Sequence, residues 1–276
     1  MGFKLLPSDE IQKADYSDKV KDFYFRNPRS FEASIIMKIT YYGHSSFGVE
    51  IKGKHILFDP FITPNPLAKH IDINTIPADY IIQSHGHTDH IVDTVAIAKR
   101  TGATVIGAFE VTTWLAKQGV EKTHPMNVGG KWLYDFGKVK AVNAIHSSTM
   151  PDGTFGGQPL GFVLESEEGN FYYAGDTALT YDMKLIGDYR QIDFAILPIG
   201  DNFTMGVDNA IICSDFVKCN QVIGMHYDTF PLIQINHKEA QAKFSRAGKN
   251  LILMEVGKTL EMQDSKKLTA SGSTGN

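Results

Sequence analysis

The sequence contains only two cysteines in 276 residues, Cys213 and Cys219. The residues around them have the pattern of a helix, and side chains six positions apart on a helix point in different directions. A disulfide between them would require a geometry that such a helix does not offer. We therefore expect two reduced thiols in the core.

An excess of positive charge is also lacking. The chain has 27 Lys and Arg against 31 Asp and Glu, a formal net charge of -4, and its lysines are scattered along the sequence. Proteins that bind the nucleic-acid backbone usually concentrate basic residues on one face. The charge distribution therefore argues against a nucleic-acid partner.

Long apolar runs are missing as well. No stretch approaches the roughly 20 apolar residues that a membrane-spanning helix needs, and the N-terminus lacks the apolar segment of a secretory signal. We therefore expect a cytoplasmic protein without a membrane span.

The remaining composition fits one large α/β domain, since 42% of the residues are hydrophobic. A clean strand pattern opens at Met37, and we predict the domain over 37–262. Residues 1–36 mix charges and aromatics without periodicity. They form either an extension that packs on the domain or at an interface of a homo-oligomer, or a segment added before a natural start at Met37. Residues 263–276 are small and polar, which predicts a mobile tail.

The pattern of elements changes along the domain. Short strands over 38–42, 46–51 and 54–59 predict an antiparallel meander, and two strands over 161–165 and 170–174 predict a hairpin. Later segments alternate: strands are predicted over 194–199, 222–225 and 251–255, and helices near 207–217 and 237–247. Strands first and alternation later indicate mixed sheets covered by helices.

Residues 85–90, His-Gly-His-Thr-Asp-His, carry the strongest chemical signal, directly after a short apolar strand at 80–82. Side chains two apart in an extended segment face the same side, so His85 and His87 can bind one metal ion while Gly86 leaves room for it. A helix is predicted to follow, ending at Gly102. Asp89 and His90 lie where it begins, so they can diverge toward a second ion, and the helix N-terminus favours the ionised form of Asp89.

Three more candidate ligands each follow an apolar strand: His146, Asp176 and His226. Taken alone, each has a structural alternative, in a turn, in a helix cap or in packing. Together with residues 85–90 they complete the donor set of a two-metal site.

These residues and several flanking motifs resemble the metallo-β-lactamase superfamily. More narrowly, the chain is similar to the UPF0173 metal-dependent hydrolases, which are relatives of ascorbate-phosphate lactonases and N-acylphosphatidylethanolamine phospholipases. The matching motifs are 37–47, 57–60, 85–90, 144–146, 173–177, 198–200, 202–206 and 225–231. The resemblance implies an α/β fold of four layers, the αββα sandwich, with the metals at one edge. Val92 and Thr88 depart from the family, which often has glycine at both positions.

The resemblance also implies roles for individual residues. The first cation would be held by His85, His87 and His146, the second by Asp89, His90 and His226, and Asp176 would bridge them. Asp59 would orient a ligating histidine without touching the metal. Substrate contacts would come from His44, Asn202 and Thr204, although His44 could equally stabilise a turn and Asn202 is an ordinary turn former.

The implied activity is hydrolysis of a small phosphoester, lactone or amide. Two divalent cations would activate a bridging water, and Asp89 would hold or shuttle its proton. Histidine and carboxylate ligands suit Zn²⁺ best, while Mn²⁺, Fe²⁺ and Ni²⁺ also accept them. The sequence names no particular substrate.

Other functions fit less well. A diiron redox protein of the same fold usually has a carboxylate where this chain has His87. A non-catalytic metal-binding relative would not need all seven ligands. A tRNA-processing nuclease is disfavoured by the acidic balance of the chain.

Overall fold

The computed structural model describes residues 35–263. The extension predicted over 1–36 and the tail predicted over 263–276 therefore lie outside the described residues, apart from positions 35, 36 and 263. The first described strand begins at Ile35, two residues before the predicted start of the domain.

Seven strands form the first sheet. They are β1 (Ile35–Gly43), β2 (Ser46–Ile51), β3 (Lys54–Phe58), β4 (Tyr80–Ile82), β5 (Thr104–Ala108), β6 (Thr123–Met126) and β14 (Thr259–Gln263). Their spatial order is β14-β1-β2-β3-β4-β5-β6. The strands from β14 to β3 pair antiparallel, which confirms the predicted meander, and those from β3 to β6 pair parallel.

The second sheet also has seven strands. They are β7 (Lys131–Leu133), β8 (Lys138–Asn143), β9 (Leu160–Ser166), β10 (Gly169–Tyr173), β11 (Phe194–Pro198), β12 (Gln221–Met225) and β13 (Asn250–Ile252). Their spatial order is β13-β12-β11-β10-β9-β8-β7. Pairing is antiparallel from β7 to β10, including the predicted hairpin, and parallel from β10 to β13.

Helices flank the two sheets. They are α1 (Thr88–Ile91), α2 (Thr94–Thr101), α3 (Phe109–Lys117), α4 (Met183–Tyr189), α5 (Val207–Phe216) and α6 (His237–Arg246), with 3-10 turns at Ile73–Thr75 and Pro231–Ile233. Two mixed sheets with helices outside confirm the predicted αββα fold. Within residues 35–263, no helix is long and apolar enough to span a membrane.

Apolar side chains from both sheets meet in one core. The ring of Phe58 on β3 lies 6.0 Å from Phe171 and 4.6 Å from Tyr173, both on β10, measured between ring centroids. All three residues are fully buried. Burying each such ring stabilises the fold by about 1.5–3 kcal/mol. This packing holds the neighbouring ends of the two sheets in fixed positions.

Three details differ from the prediction. The helix expected after residues 85–90 is divided into α1 and α2, because the Asp93 carboxylate between them accepts hydrogen bonds from the backbone of Ile62 and Thr63 at 2.6 and 2.8 Å. Cys219 lies beyond the end of α5, although both thiols are buried and free as expected. The sequence also did not reveal β6, β7, α4 and β14. Of these, β7 is three residues long and exposed, and β6 contains Pro125.

Candidate metal centre

The predicted site residues lie where strands of the two sheets end. In the first sheet His44 follows β1, Asp59 follows β3, and residues 85–90 follow β4. The other predicted metal ligands follow β8, β10 and β12 of the second sheet: His146, Asp176 and His226. The carboxyl ends of parallel strands share one edge of a sheet, and such edges are the common place for ligand sites in α/β proteins. The fold therefore explains how residues up to 182 positions apart in sequence meet.

His85, His87 and His146 form the first group. One ring nitrogen of each lies within 4.8 Å of the others. The Nδ1 atom of His85 lies 2.9 Å from the Ser84 hydroxyl, while its Nε2 atom is buried and has no hydrogen-bond partner among the described residues. The geometry thus presents three imidazoles to one point.

Asp89, His90 and His226 form the second group, together with His44. One donor atom of each again lies within 4.8 Å of the others. His90 and His226 are buried, and the side chain of Asp89 keeps 30% of its surface exposed. Asp89 is therefore the acidic residue of this group that solvent can reach.

Asp176 touches both groups. Its Oδ2 atom lies 3.0 Å from His226 Nε2, 3.2 Å from His90 Nε2 and 3.6 Å from His146 Nε2. Its Oδ1 atom is buried and has no hydrogen-bond partner in the described part of the chain. The position is the one that a bridging carboxylate would need.

The electrostatics of the site favour ionised acids. Burial opposes the ionisation of Asp176, but the nearby His226 and His90 outweigh it and hold its pKa well below the usual range. For Asp89 burial is likewise outweighed, here by the hydrogen bond with His44 and by His90, and its pKa is also lowered. Carboxylate ligands bind metal ions in this ionised form.

The histidines divide into two kinds. Burial lowers the pKa of His85, His87 and His146, so these rings are neutral near pH 7, as metal binding requires. His90 differs, because burial is outweighed by Asp176 and Asp59 and its pKa is raised. The two carboxylates thus favour positive charge beside them.

Asp59 connects the buried groups behind the site. Its carboxylate accepts hydrogen bonds from the Ser84 backbone N–H at 2.7 Å, the Ser84 hydroxyl at 2.5 Å, the Tyr173 hydroxyl at 2.7 Å and the Gln83 amide at 3.1 Å. It also lies 2.9 Å from His90 Nδ1, while His90 Nε2 lies 3.2 Å from Asp176 Oδ2 without the geometry of a hydrogen bond. Sequence reasoning missed Gln83, Ser84 and Tyr173. The signal available for Tyr173 was its place in a predicted apolar strand, because the hydroxyl of a buried tyrosine must find a partner.

Several backbone conformations at the site are unusual. His44, Asp59 and His226 have φ angles of 57°, 38° and 56°, a region that non-glycine residues rarely adopt. Gly175, just before Asp176, has φ 59°, and a Cβ atom there would lie 2.8 Å from the Leu160 carbonyl oxygen. Strained residues of this kind cluster at functional sites. Gly175 is the one position in this set where only glycine fits.

The three predicted substrate contacts lie in two segments of the chain. His44 is fully buried: its Nε2 atom lies 3.1 Å from Asp89 Oδ2 and its Nδ1 atom 3.0 Å from the Thr229 hydroxyl. Burial, and then His226, lower the pKa of His44 to about 4, against the opposing effect of Asp89. Asn202 and Thr204 lie in the loop between β11 and α5, and their substrate contacts stay predictions.

The comparisons with known proteins identify the class first. Residues 54–227 match the family model described as a beta-lactamase superfamily domain. The chain is also similar to Igni18, a metallo hydrolase of the archaeon Ignicoccus hospitalis, with a TM-score of 0.75 and 34% identity over 82% of this chain and 98% of that one. Fold and sequence together define a metal-dependent hydrolase of the metallo-β-lactamase superfamily.

Curated relatives then give the family. A UPF0173 metal-dependent hydrolase of Flavobacterium johnsoniae is 57% identical over 226 residues, which are 82% of this chain and 100% of the relative. Another, from Christiangramia forsetii, is 55% identical over 227 residues, again 82% and 100%. The chain belongs to the UPF0173 metal-dependent hydrolase family, which confirms the resemblance found in the sequence.

Proposed function

We propose that the chain is a binuclear hydrolase of a small molecule. In this proposal the first cation is bound by His85, His87 and His146, the second by Asp89, His90 and His226, and both by Asp176. The donor set of imidazoles and carboxylates suits Zn²⁺, although Mn²⁺, Fe²⁺ and Ni²⁺ accept the same ligands.

One observation carries the proposal. Ten buried side-chain atoms lack a hydrogen-bond partner among residues 35–263, and four of them belong to the predicted ligand set: His85 Nε2, His90 Nε2, His226 Nδ1 and Asp176 Oδ1. Leaving one such atom unpaired costs about 1–3 kcal/mol. The concentration of four at one site supports a bound cation there. Asp59, by contrast, has its carboxylate surrounded by donors, which supports an orienting role.

The residues fit the chemistry of hydrolysis. Bound at these ligands, divalent cations would lower the pKa of a water molecule from about 15.7 toward about 7 and polarise a substrate oxygen. Asp89 is the partly exposed acid, and a carboxylate there can accept a proton during the reaction. The proposed substrate classes are phosphoesters, lactones and amides.

The loop with Asn202 and Thr204 is the proposed substrate contact. The Met205 N–H donates to the Thr177 carbonyl at 3.0 Å, and Thr177 directly follows Asp176. This bond keeps the loop beside the end of β10. Polar side chains on such a loop can reach a substrate held at the centre.

Replacing Asp89 with asparagine tests the proposal, because the change keeps the side-chain size and removes the charge. We expect hydrolysis to fall by about 10²–10³-fold and the second cation to bind more weakly. Metal content per chain and a hydrolysis screen over phosphodiesters, lactones and amides measure both effects. The exposed His70→Ala serves as control and is expected to match the original chain. Hydrolysis by the metal-free protein, or an unaffected Asp89→Asn protein, would refute the proposal.

A further inference from the structure

The backbone around His44 holds this residue rigidly at the end of β1. The His44 carbonyl accepts a hydrogen bond from the His226 N–H at 2.8 Å and another from the Tyr41 hydroxyl at 3.2 Å. The side chain is fully buried. The backbone from which the ring extends is therefore held in place beside the second group of ligands.

Packing fixes the orientation of the ring as well. The centroid of the His44 ring lies 5.5 Å from those of Phe61 and Phe230, both approached edge-on, and 4.2 Å from that of His226. These neighbours pack against the buried imidazole. Its two nitrogens consequently face the partners that the structure shows, Asp89 and Thr229.

The two partners decide which nitrogen carries the proton. An ionised carboxylate only accepts hydrogen bonds, so the contact of 3.1 Å between His44 Nε2 and Asp89 Oδ2 requires a proton on Nε2. In the neutral ring Nδ1 is then an acceptor, and the Thr229 hydroxyl 3.0 Å away can donate to it. The other acceptor near that hydroxyl, the Tyr227 carbonyl, is farther away at 3.4 Å. The hydrogen bonds thus run from Thr229 to His44 to Asp89.

We propose that His44 is a positioning residue that holds the Asp89 carboxylate for the second cation, with Thr229 fixing the tautomer of its ring. The inference rests on the proposed function, since it concerns the same site. A protonated Nε2 has no lone pair for a metal ion, so His44 orients a ligand instead of being one. Asp89 needs this support, because it lies on the four-residue helix α1 and is 30% exposed. Without His44 its carboxylate can turn toward water.

Metal titration of single variants tests the proposal. Partners that orient metal ligands contribute 10–100-fold to affinity. We expect His44→Ala to lower the affinity for the second cation about 10–100-fold and to leave the affinity for the first unchanged. His44→Gln keeps an N–H donor and should recover most of the affinity. Thr229→Val should weaken the same site about 10-fold, while Thr229→Ser, which keeps the hydroxyl, should not.

Two readouts accompany the titration. The visible spectrum of the Co²⁺-loaded protein reports the ligands of the second cation, and it should shift in His44→Ala and recover in His44→Gln. Thermal unfolding of the metal-free variants checks that the fold is retained, with His70→Ala as a control expected to match the original chain throughout.

Each other outcome overturns a part of the proposal. Unchanged affinity in His44→Ala removes the positioning role, and unchanged affinity in Thr229→Val removes the role of Thr229. If His44→Gln loses the second cation as completely as His226→Ala does, His44 is itself a ligand and not a positioning residue. If the original chain binds fewer than two cations, the proposed function itself fails, and the inference fails with it.

Discussion

Replacing Asp176 with alanine is expected to reduce the bound metal below two ions per chain and to slow hydrolysis by on the order of 10³-fold or more. The reason is geometric. Asp176 Oδ2 is the atom within 3.6 Å of His90, His146 and His226 together. Removing it takes away the carboxylate that contacts both groups of ligands. Metal content and hydrolysis rate, measured on the same preparation, check the result.

Asp176→Asn separates charge from shape in that experiment. The amide keeps an oxygen at the position of the carboxylate but loses the negative charge, so we expect intermediate metal affinity and strongly reduced hydrolysis. Unfolding of both variants in denaturant shows whether the fold is retained. Full activity in a folded Asp176→Ala protein would be incompatible with a bridging role.

Replacing Asp59 with alanine is expected to lower the free energy of unfolding by about 3–5 kcal/mol. Asp59 is fully buried, and its removal leaves the Ser84 N–H and His90 Nδ1 without a partner. The Ser84 hydroxyl, the Tyr173 hydroxyl and the Gln83 amide lose one partner each and keep another. The loss is expected to extend to metal binding, because His90 Nδ1 is no longer held. Denaturant unfolding of the metal-free protein measures the stability, and metal titration measures the second effect.

Tyr173→Phe is the matched control for Asp59. It removes one hydroxyl from the same network and keeps the ring that packs on Phe58. We expect it to cost about 1–2 kcal/mol and to leave both cations bound. If the Asp59→Ala protein is as stable as the Tyr173→Phe protein, the hydrogen bonds to Asp59 do not contribute the expected stability.

The general fold followed from residue patterns that reflect burial. The strands β10 and β11 are buried along nearly their whole length and read as apolar runs, and the hairpin of β9 and β10 turns at Glu167 and Glu168. Short or exposed elements carry little such pattern. Strand β7 exposes all three residues, so its place at the sheet edge depends on pairing with β8, which no local pattern reveals.

The candidate ligands could also be predicted from the sequence, because each follows a strand and carries a side chain suited to metals. The residues that hydrogen-bond to these ligands could not be predicted. Ser84, Gln83 and Thr229 are common residue types, and what distinguishes them is a hydrogen bond made across the fold. For Thr229 the partner is His44, 185 positions earlier. The sequence predicted either a substrate contact or a turn-stabilising role for His44. Its contacts with Asp89 and Thr229 are visible only in the folded chain.

Anomalous X-ray scattering from crystals of the zinc-loaded protein tests most directly whether two cations bind at one sheet edge. Two anomalous peaks are expected. One would lie among His85, His87 and His146, the other among Asp89, His90 and His226, with Asp176 between them. A single peak, or peaks away from these side chains, would contradict it.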